Sequence, residues 1–290
     1  MGDEQGINKP VNPLLAGIKK LPGLSILLPT KGLLYTDGEL DEKSLKSGEV
    51  HIHPMSAKDE LVLKSPDLLI NGEALRMVVT RCVPDVLKPL ELFQADLDSI
   101  LVGIRIATYG DNLGITVENP YFDENLKGSR KEMDYEIPLK PLLTNAKFLK
   151  DLEECKVELE TGQIATVQPL RFKTTLTLTE EDLMELPEDH EKRNAVFRRR
   201  METFEEILLS MISNIDGISD KEMIKEWYQN VPAGIFAKLS EKAMELGQLG
   251  IKMETTLTDP ITKKSWEASI PINPADFFGT GPSKKTGLGF

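Results

Sequence analysis

The chain has 290 residues, 40% of them hydrophobic and 28% charged, with a formal net charge of -12. These proportions suit a folded soluble protein of one elaborate domain or two smaller ones, as opposed to a disordered chain. No run of about 18 uncharged apolar residues occurs, which excludes a membrane-spanning helix, and the acidic surface disfavours unaided binding to nucleic acid.

The opening MGDEQGINKP is polar and acidic where a secretory leader is basic and then apolar, so a cytoplasmic start is expected. Residues 1–50 carry Pro10, Pro13, Pro22, Pro29 and repeated glycines, and read as an extended arm with one or two short strands. A strand-plus-helix unit follows over 51–113. VHIHPM alternates like a strand, and Ser56 with Asp59 forms a capping box for a short helix. Pro66 opens a second helix with Leu69, Ala74, Met77 and Val78 facing inward. Asp96 caps a third helix, in which Ile100, Leu101, Ile104 and Ala107 form one apolar stripe and Gly110 ends the run.

Residues 114–178 read as β-hairpins. Strands are expected at 114–118 and 133–139, then at 155–160 and 163–178 around a turn at Thr161-Gly162, with Pro169 at an edge or bulge. The pattern over 179–249 is helical. Thr179 begins a capping box for a short helix ending near Pro187. A long helix from about 188 to 215 carries Val196, Phe197, Phe204, Ile207, Leu208 and Met211. Ser219 caps a helix through Tyr228, and Pro232 opens another to Leu246. Residues 250–278 form a closing hairpin, and 279–290 (GTGPSKKTGLGF) a glycine-rich tail that cannot pack alone.

One internal echo stands out. GITVE at 114–118 and GIKME at 250–254 are each followed by a polar loop, an aromatic-Glu pair (Tyr135-Glu136 and Trp266-Glu267) and a Pro-spaced exit, IPLKP or IPINP. Two copies of one hairpin module flanking the long helical segment are expected, pairing in one sheet of an intertwined α+β unit that combines helical bundle segments with antiparallel hairpins.

A search for chemistry yields little. The phosphate loop, the GxGxxG turn, the GxSxG elbow and HExxH are all missing from the sequence. His51 and His53 lie two apart, so on a strand both would face one side and could offer two metal ligands, with Cys82, Cys155 or His190 completing the set. An enzyme or small metalloprotein built there is the rival class. Two histidines on a partly exposed strand is the preferred reading, since neither cysteine belongs to a CxxC pair and both read as buried thiols. Neither cofactor nor metal is therefore expected. The basic cluster Lys192, Arg193, Arg198, Arg199 and Arg200 lies amid acidic sequence and reads as a solvated face pairing with glutamates; a docking face for an acidic protein is the sharper alternative. Trp227, Trp266, Phe277 and Phe278 read as core or interface anchors, because basic residues do not interleave with them.

Several segments together resemble the baseplate hub subunits and hub-assembly chaperones of T-even-type phages. LPTKGLLY is similar to that family's Leu-Pro-Ser-x-Gly-x-x-Tyr entry. VHIHPMSAKDELVLKSPDLLINGEALRMVVTRCV resembles its main signature, LDSILVGIRIATYG the helix that follows, and IPINPADFFG its closing hairpin with a double phenylalanine. Many relatives carry Cys-Pro-x-Cys knuckles in the hairpins, in a zinc-ribbon-like arrangement. Here the matching stretches, ENPYFDE and TLTDPITKKSW, contain no cysteine, so a ribbon without metal is expected. The resemblance implies a non-enzymatic structural or assembly protein of a contractile phage tail, working in the host cytoplasm or retained in the virion baseplate. A hub-assembly chaperone absent from the finished virion is the other member type. The implied partners are other baseplate or hub proteins, with self-association left open and with neither nucleic acid nor membrane. The expected contact residues are Leu33, Leu34 and Tyr35 on the arm and Phe277, Phe278 and Phe290 at the other end; the competing expectation is that Phe277 and Phe278 plug this chain's own core.

Overall fold

The computed structural model describes residues 23–177, 190–270, 277–278 and 283–284. The architecture is α+β: helices packed among small sheets of two or three strands. Strand β1 (Leu24–Leu27) pairs antiparallel with β2 (Glu49–Ile52), setting Ile26 opposite Val50. Helix α1 (Glu42–Ser47) lies between them, capped where Asp41 accepts the Ser44 N–H. Helices α2 (Ala57–Leu63), α3 (Pro66–Ile70) and α4 (Glu73–Cys82) follow, then the longer α5 (Gln94–Tyr109). The β1–β2 ribbon lies against α5, where Gly103 permits the approach: a Cβ there would stand 2.3 Å from Ile52 Cδ1.

Beyond α5, β3 (Asn112–Glu118) and β4 (Glu132–Pro138) form a hairpin with Ile115 opposite Tyr135, and α6 (Lys140–Thr144) leaves it. Strands β5 (Lys156–Glu158) and β6 (Ile164–Val167) make a second hairpin, followed by the one-turn α7 (Phe172–Thr175). Helix α8 (His190–Met211) runs straight into β7 (Ile212–Ile215), which joins β6 as the third strand of that sheet. Helices α9 (Lys221–Asn230) and α10 (Ala233–Leu246) precede a final hairpin of β8 (Glu254–Thr258) and β9 (Ser265–Ser269). A two-residue strand, β10 (Ser283–Lys284), pairs parallel with β3.

One apolar cluster runs from Ile26 to Phe278 and includes Ile52, Val78, Ile100, Leu113, Ile212 and Leu239. Most of the expected helices are present near their expected bounds, because their stripes and caps are local features. The helix opened by Pro66 is broken at Asn71-Gly72 (Gly72 φ 71°) into α3 and α4, and Asp220 in place of Ser219 caps α9. Ser56 N–H and Oγ both donate to Asp59 Oδ2, and Pro232 precedes α10.

Other expectations need correction. The stretch 23–50 is not a loose arm: Leu28, Leu34, Tyr35 and Leu40 are buried in the common core. Residues 1–22, the expected helix from Thr179 to Pro187, and Phe290 lie outside the described residues. The strand expected over 163–178 stops at Val167, because Gln168 and Phe172 give their N–H groups to Met211 and Leu92, drawing the chain away from a simple hairpin. The long helix ends at Met211, and 212–215 is strand; neither glycine nor proline marks that junction. The two echoed hairpins belong to separate sheets.

The echo itself is real on one limb and displaced on the other. GITVE lies in β3, whereas GIKME precedes β8 and the strand itself reads ETTLT. Each strand then ends on an Asx-Pro turn. Asn119 Oδ1 accepts the Tyr121 N–H (2.9 Å), and Asp259 Oδ1 accepts the Ile261 N–H (2.9 Å). These turns lie in ENPYFDE and TLTDPITKKSW, neither of which holds a cysteine, and both Asn119 and Asp259 are buried. The Asp259 carboxyl is held below the usual carboxylate range by the Ile261 N–H and the Thr262 hydroxyl, with the Asn119 side chain contributing last. Trp266 stands edge-on to Tyr121 and Tyr135, at 6.0 and 5.9 Å between ring centroids. The Tyr121 and Tyr135 hydroxyls donate to the Ser265 and Thr258 carbonyls, so the hairpins are joined by side chains.

Candidate functional site

The most enclosed polar cluster of the described residues lies where the Leu-Pro-Thr-x-Gly-x-x-Tyr segment meets α5. Lys31 and Gly32 both take positive φ (52° and 74°), and a Cβ on Gly32 would stand 2.8 Å from the Leu45 carbonyl oxygen, so the turn needs glycine. The turn delivers Thr30 and Tyr35 to Asp96, the third residue of α5. Thr30 N–H donates to Asp96 Oδ1 (3.0 Å), while the Thr30 hydroxyl (2.6 Å) and the Tyr35 hydroxyl (2.7 Å) donate to Oδ2. The Tyr35 oxygen in turn accepts the Phe93 N–H at 3.1 Å. Asp96 is therefore not the expected N-cap; its carboxylate turns away from the helix to hold a segment 66 residues distant.

Burial pushes the Asp96 carboxyl up to about 6 against the opposing pull of the Thr30 and Tyr35 hydrogen bonds, and raises the Tyr35 hydroxyl well above its ordinary range. Asp98, whose Oδ1 accepts from Gln94 Nε2 (2.7 Å), is likewise pushed to about 6 by burial. The cluster continues through Phe93, whose ring lies 4.4 Å from the Arg171 guanidinium carbon. Arg171 donates to Glu39 Oε1 (2.8 Å) and to the Glu91 carbonyl (2.6 Å), and Lys173 pairs with Glu91. These groups are partnered across three stretches of chain, 30–39, 91–98 and 171–173, and so tie them together.

The histidines are arranged differently from a metal site. His51 Nδ1 lies 3.3 Å from Asp85 Oδ2, which also accepts the His51 N–H (2.7 Å), and both His51 and His53 are exposed. Cys82 and Cys155 are buried, their thiols pushed up to about 12 and about 11 chiefly by burial. Among the described residues, three or more His, Cys, Asp or Glu side chains do not gather in metal-binding geometry. Two surface hollows of about 370 and 470 Å³ are lined by Met223, Glu226, Trp227, Asn230 and Val231, and by residues of the 37–46 stretch with Leu87; histidine, cysteine and serine are not among their lining residues. Arg105 is buried beside the Tyr109 ring at 4.6 Å, and its Nε and Nη1 have no hydrogen-bond partner among the described residues.

Of the expected contact residues, Leu33 is exposed, whereas Leu34, Tyr35, Phe277 and Phe278 are packed inside the chain. Tyr35 is held by Asp96, and the Phe277 and Phe278 rings meet edge to face at 5.2 Å within the common core, so burial is what their apolar area gains here. Exposed apolar side chains concentrate elsewhere: Phe197, Met201 and Phe204 lie on one face of α8, the helix that also carries the basic cluster. The sequence places Phe197 and Phe204 on this helix; a spacing shows a stripe and cannot show whether anything covers it.

The best-partnered interior polar groups join distant parts of the chain, and apolar side chains remain exposed along one face of α8. The particular setting comes from comparison with known families. A model of the T4 bacteriophage base plate protein family matches residues 39–279, and the chain belongs to that family. It is thus a phage baseplate protein. No curated protein and no solved structure matches it.

Proposed function

We propose that this chain is a non-enzymatic component that builds the baseplate hub through protein–protein contacts, assembling in the host cytoplasm and residing in the virion tail. The observation that carries this reading is the family match across residues 39–279. The polar chemistry of the described interior supports it: Asp96, Arg171 and Asp259 each hold parts of the chain together. Its partners are other baseplate proteins of the same phage, met through exposed positions such as Leu33.

Mass spectrometry of purified virions tests the proposal. A fixed copy number per particle is expected. Detection in assembly intermediates with absence from virions would replace the hub subunit by a hub-assembly chaperone, and absence from both would end the proposal. An activity that survives purification and vanishes on substitution of His51 or His53 would favour the enzyme class instead.

A further inference from the structure

Helix α8 carries Phe197, Met201, Phe204, Leu208 and Met211, spaced four, three, four and three residues apart. This is the repeat that keeps one seam facing a neighbouring helix. The seam is covered at one end and bare at the other. Met211 and Leu208 are 7% and 2% exposed, whereas Phe204, Met201 and Phe197 are 41%, 49% and 56% exposed. Phe204 marks the boundary, its ring 6.0 Å from Phe236 of α10. Large apolar side chains left about half in water, in register with a buried stretch of the same seam, are the profile of an interface awaiting its other half.

The charges beside the bare part narrow the occupant. Residues 193–201, RNAVFRRRM, hold four arginines and no acid, in a chain whose net charge is -12. Helical spacing puts Arg193 and Arg200 along one flank of the seam and Arg198 along the other. Arg199 and Arg200 already have interactions within the chain, whereas Arg193 and Arg198 are exposed. A parallel pair of two such helices would set Arg193 against Arg198 across the seam, a like-charge contact that disfavours a second copy in that orientation.

We infer that the outer half of α8 is a docking face for an amphipathic helix with acidic flanks, supplied by another baseplate protein. The inference rests on the proposed function for the identity of the partner. Apolar residues of the incoming helix would cover Phe197 and Met201, and its glutamates or aspartates would face Arg193 and Arg198.

The test uses the full chain and two synthetic heptad helices, identical in their leucine seam and differing only in glutamate or lysine at the flanks. The glutamate helix should bind, more weakly as salt rises, and the lysine helix should bind at least about tenfold more weakly. Substituting Phe197→Glu and Met201→Glu together should lower binding of the glutamate helix at least about tenfold while leaving the unfolding midpoint unchanged, since both side chains are exposed. Equal binding of both helices, or binding of neither, overturns the inference. So does seam-dependent self-association in the ultracentrifuge, which would make a second copy the occupant. Binding that appears only after residues 178–189 are deleted would make the chain's own acidic segment the occupant. Virion mass spectrometry reads the proposed function independently, so a retained baseplate protein that ignores both helices would sink this inference alone.

Discussion

Helices α5 and α8 carry comparable apolar stripes and meet opposite fates. On α5, Leu97, Ile100, Leu101 and Ile104 are all buried, and the buried carboxylate of Asp96 has three donors from Thr30 and Tyr35. On α8 the stripe is buried only over its last turns. The difference lies in what the topology returns to each helix. The β1–β2 ribbon and the Thr30–Tyr35 turn come back onto α5, whereas the described contacts of α8 with α10 and β7 gather at its C-terminal end. A stripe therefore specifies a face that must be covered, and the chain's path decides whether the cover comes from within.

The contrast is breakable by substitution. The largest effect is expected at Asp96→Ala, which strands the donors of Thr30 and Tyr35 in the core and should cost about 4 kcal/mol, lowering the unfolding midpoint by roughly 10 °C in a thermal melt followed by circular dichroism. Leu208→Ala, at the covered end of the α8 seam, should cost about 3 kcal/mol in urea unfolding.

Next in size is a pH effect. Burial raises the folded Asp96 carboxyl to about 6, above its unfolded value, so its contribution to stability is present at low pH and is lost as pH rises through about 6. Wild type should thus gain about 2 kcal/mol on Asp96→Asn between pH 7 and pH 4, measured as the difference between the two unfolding free energies. A constant difference would show that Asp96 does not titrate in that window. Smallest of all, Phe197→Ala should shift unfolding by less than about 0.5 kcal/mol, although it removes a larger side chain than Leu208→Ala from the same seam. A cost near that of Leu208 would mean that Phe197 is covered within the isolated chain.

The residues that could be placed from sequence are those whose signals are local. Ser56 with Asp59, Pro66, Gly110 and Pro232 mark helix ends because capping acts within four residues, and each sits at or beside a helix terminus. Asp96 was legible as a residue near a helix start, and its actual role was not, because Thr30 and Tyr35 reach it across more than 60 residues. The β-branched run before α7 reads as strand by propensity, but the backbone of Phe172 is claimed by Leu92. The second copy of the hairpin was legible in its aromatic-Glu pair and misaligned in its first strand, because GIKME matches GITVE in letters while ETTLT matches it in place. The buried partners of Phe277 and Phe278 are likewise a product of tertiary return; a double phenylalanine near a glycine-rich end reads equally well as an anchor for another protein.

The parallel pairing of β10 with β3 sets Ser283 beside Ile115. At about 5–20 residues per second, a ribosome makes Ser283 on the order of ten seconds after Ile115. Throughout that interval one rim of β3 has no strand beside it, and rows of unpaired N–H and C=O groups recruit foreign strands. When β10 arrives it gives partners to Ile115 and Thr116 alone, so the short strand narrows that open rim without sealing it.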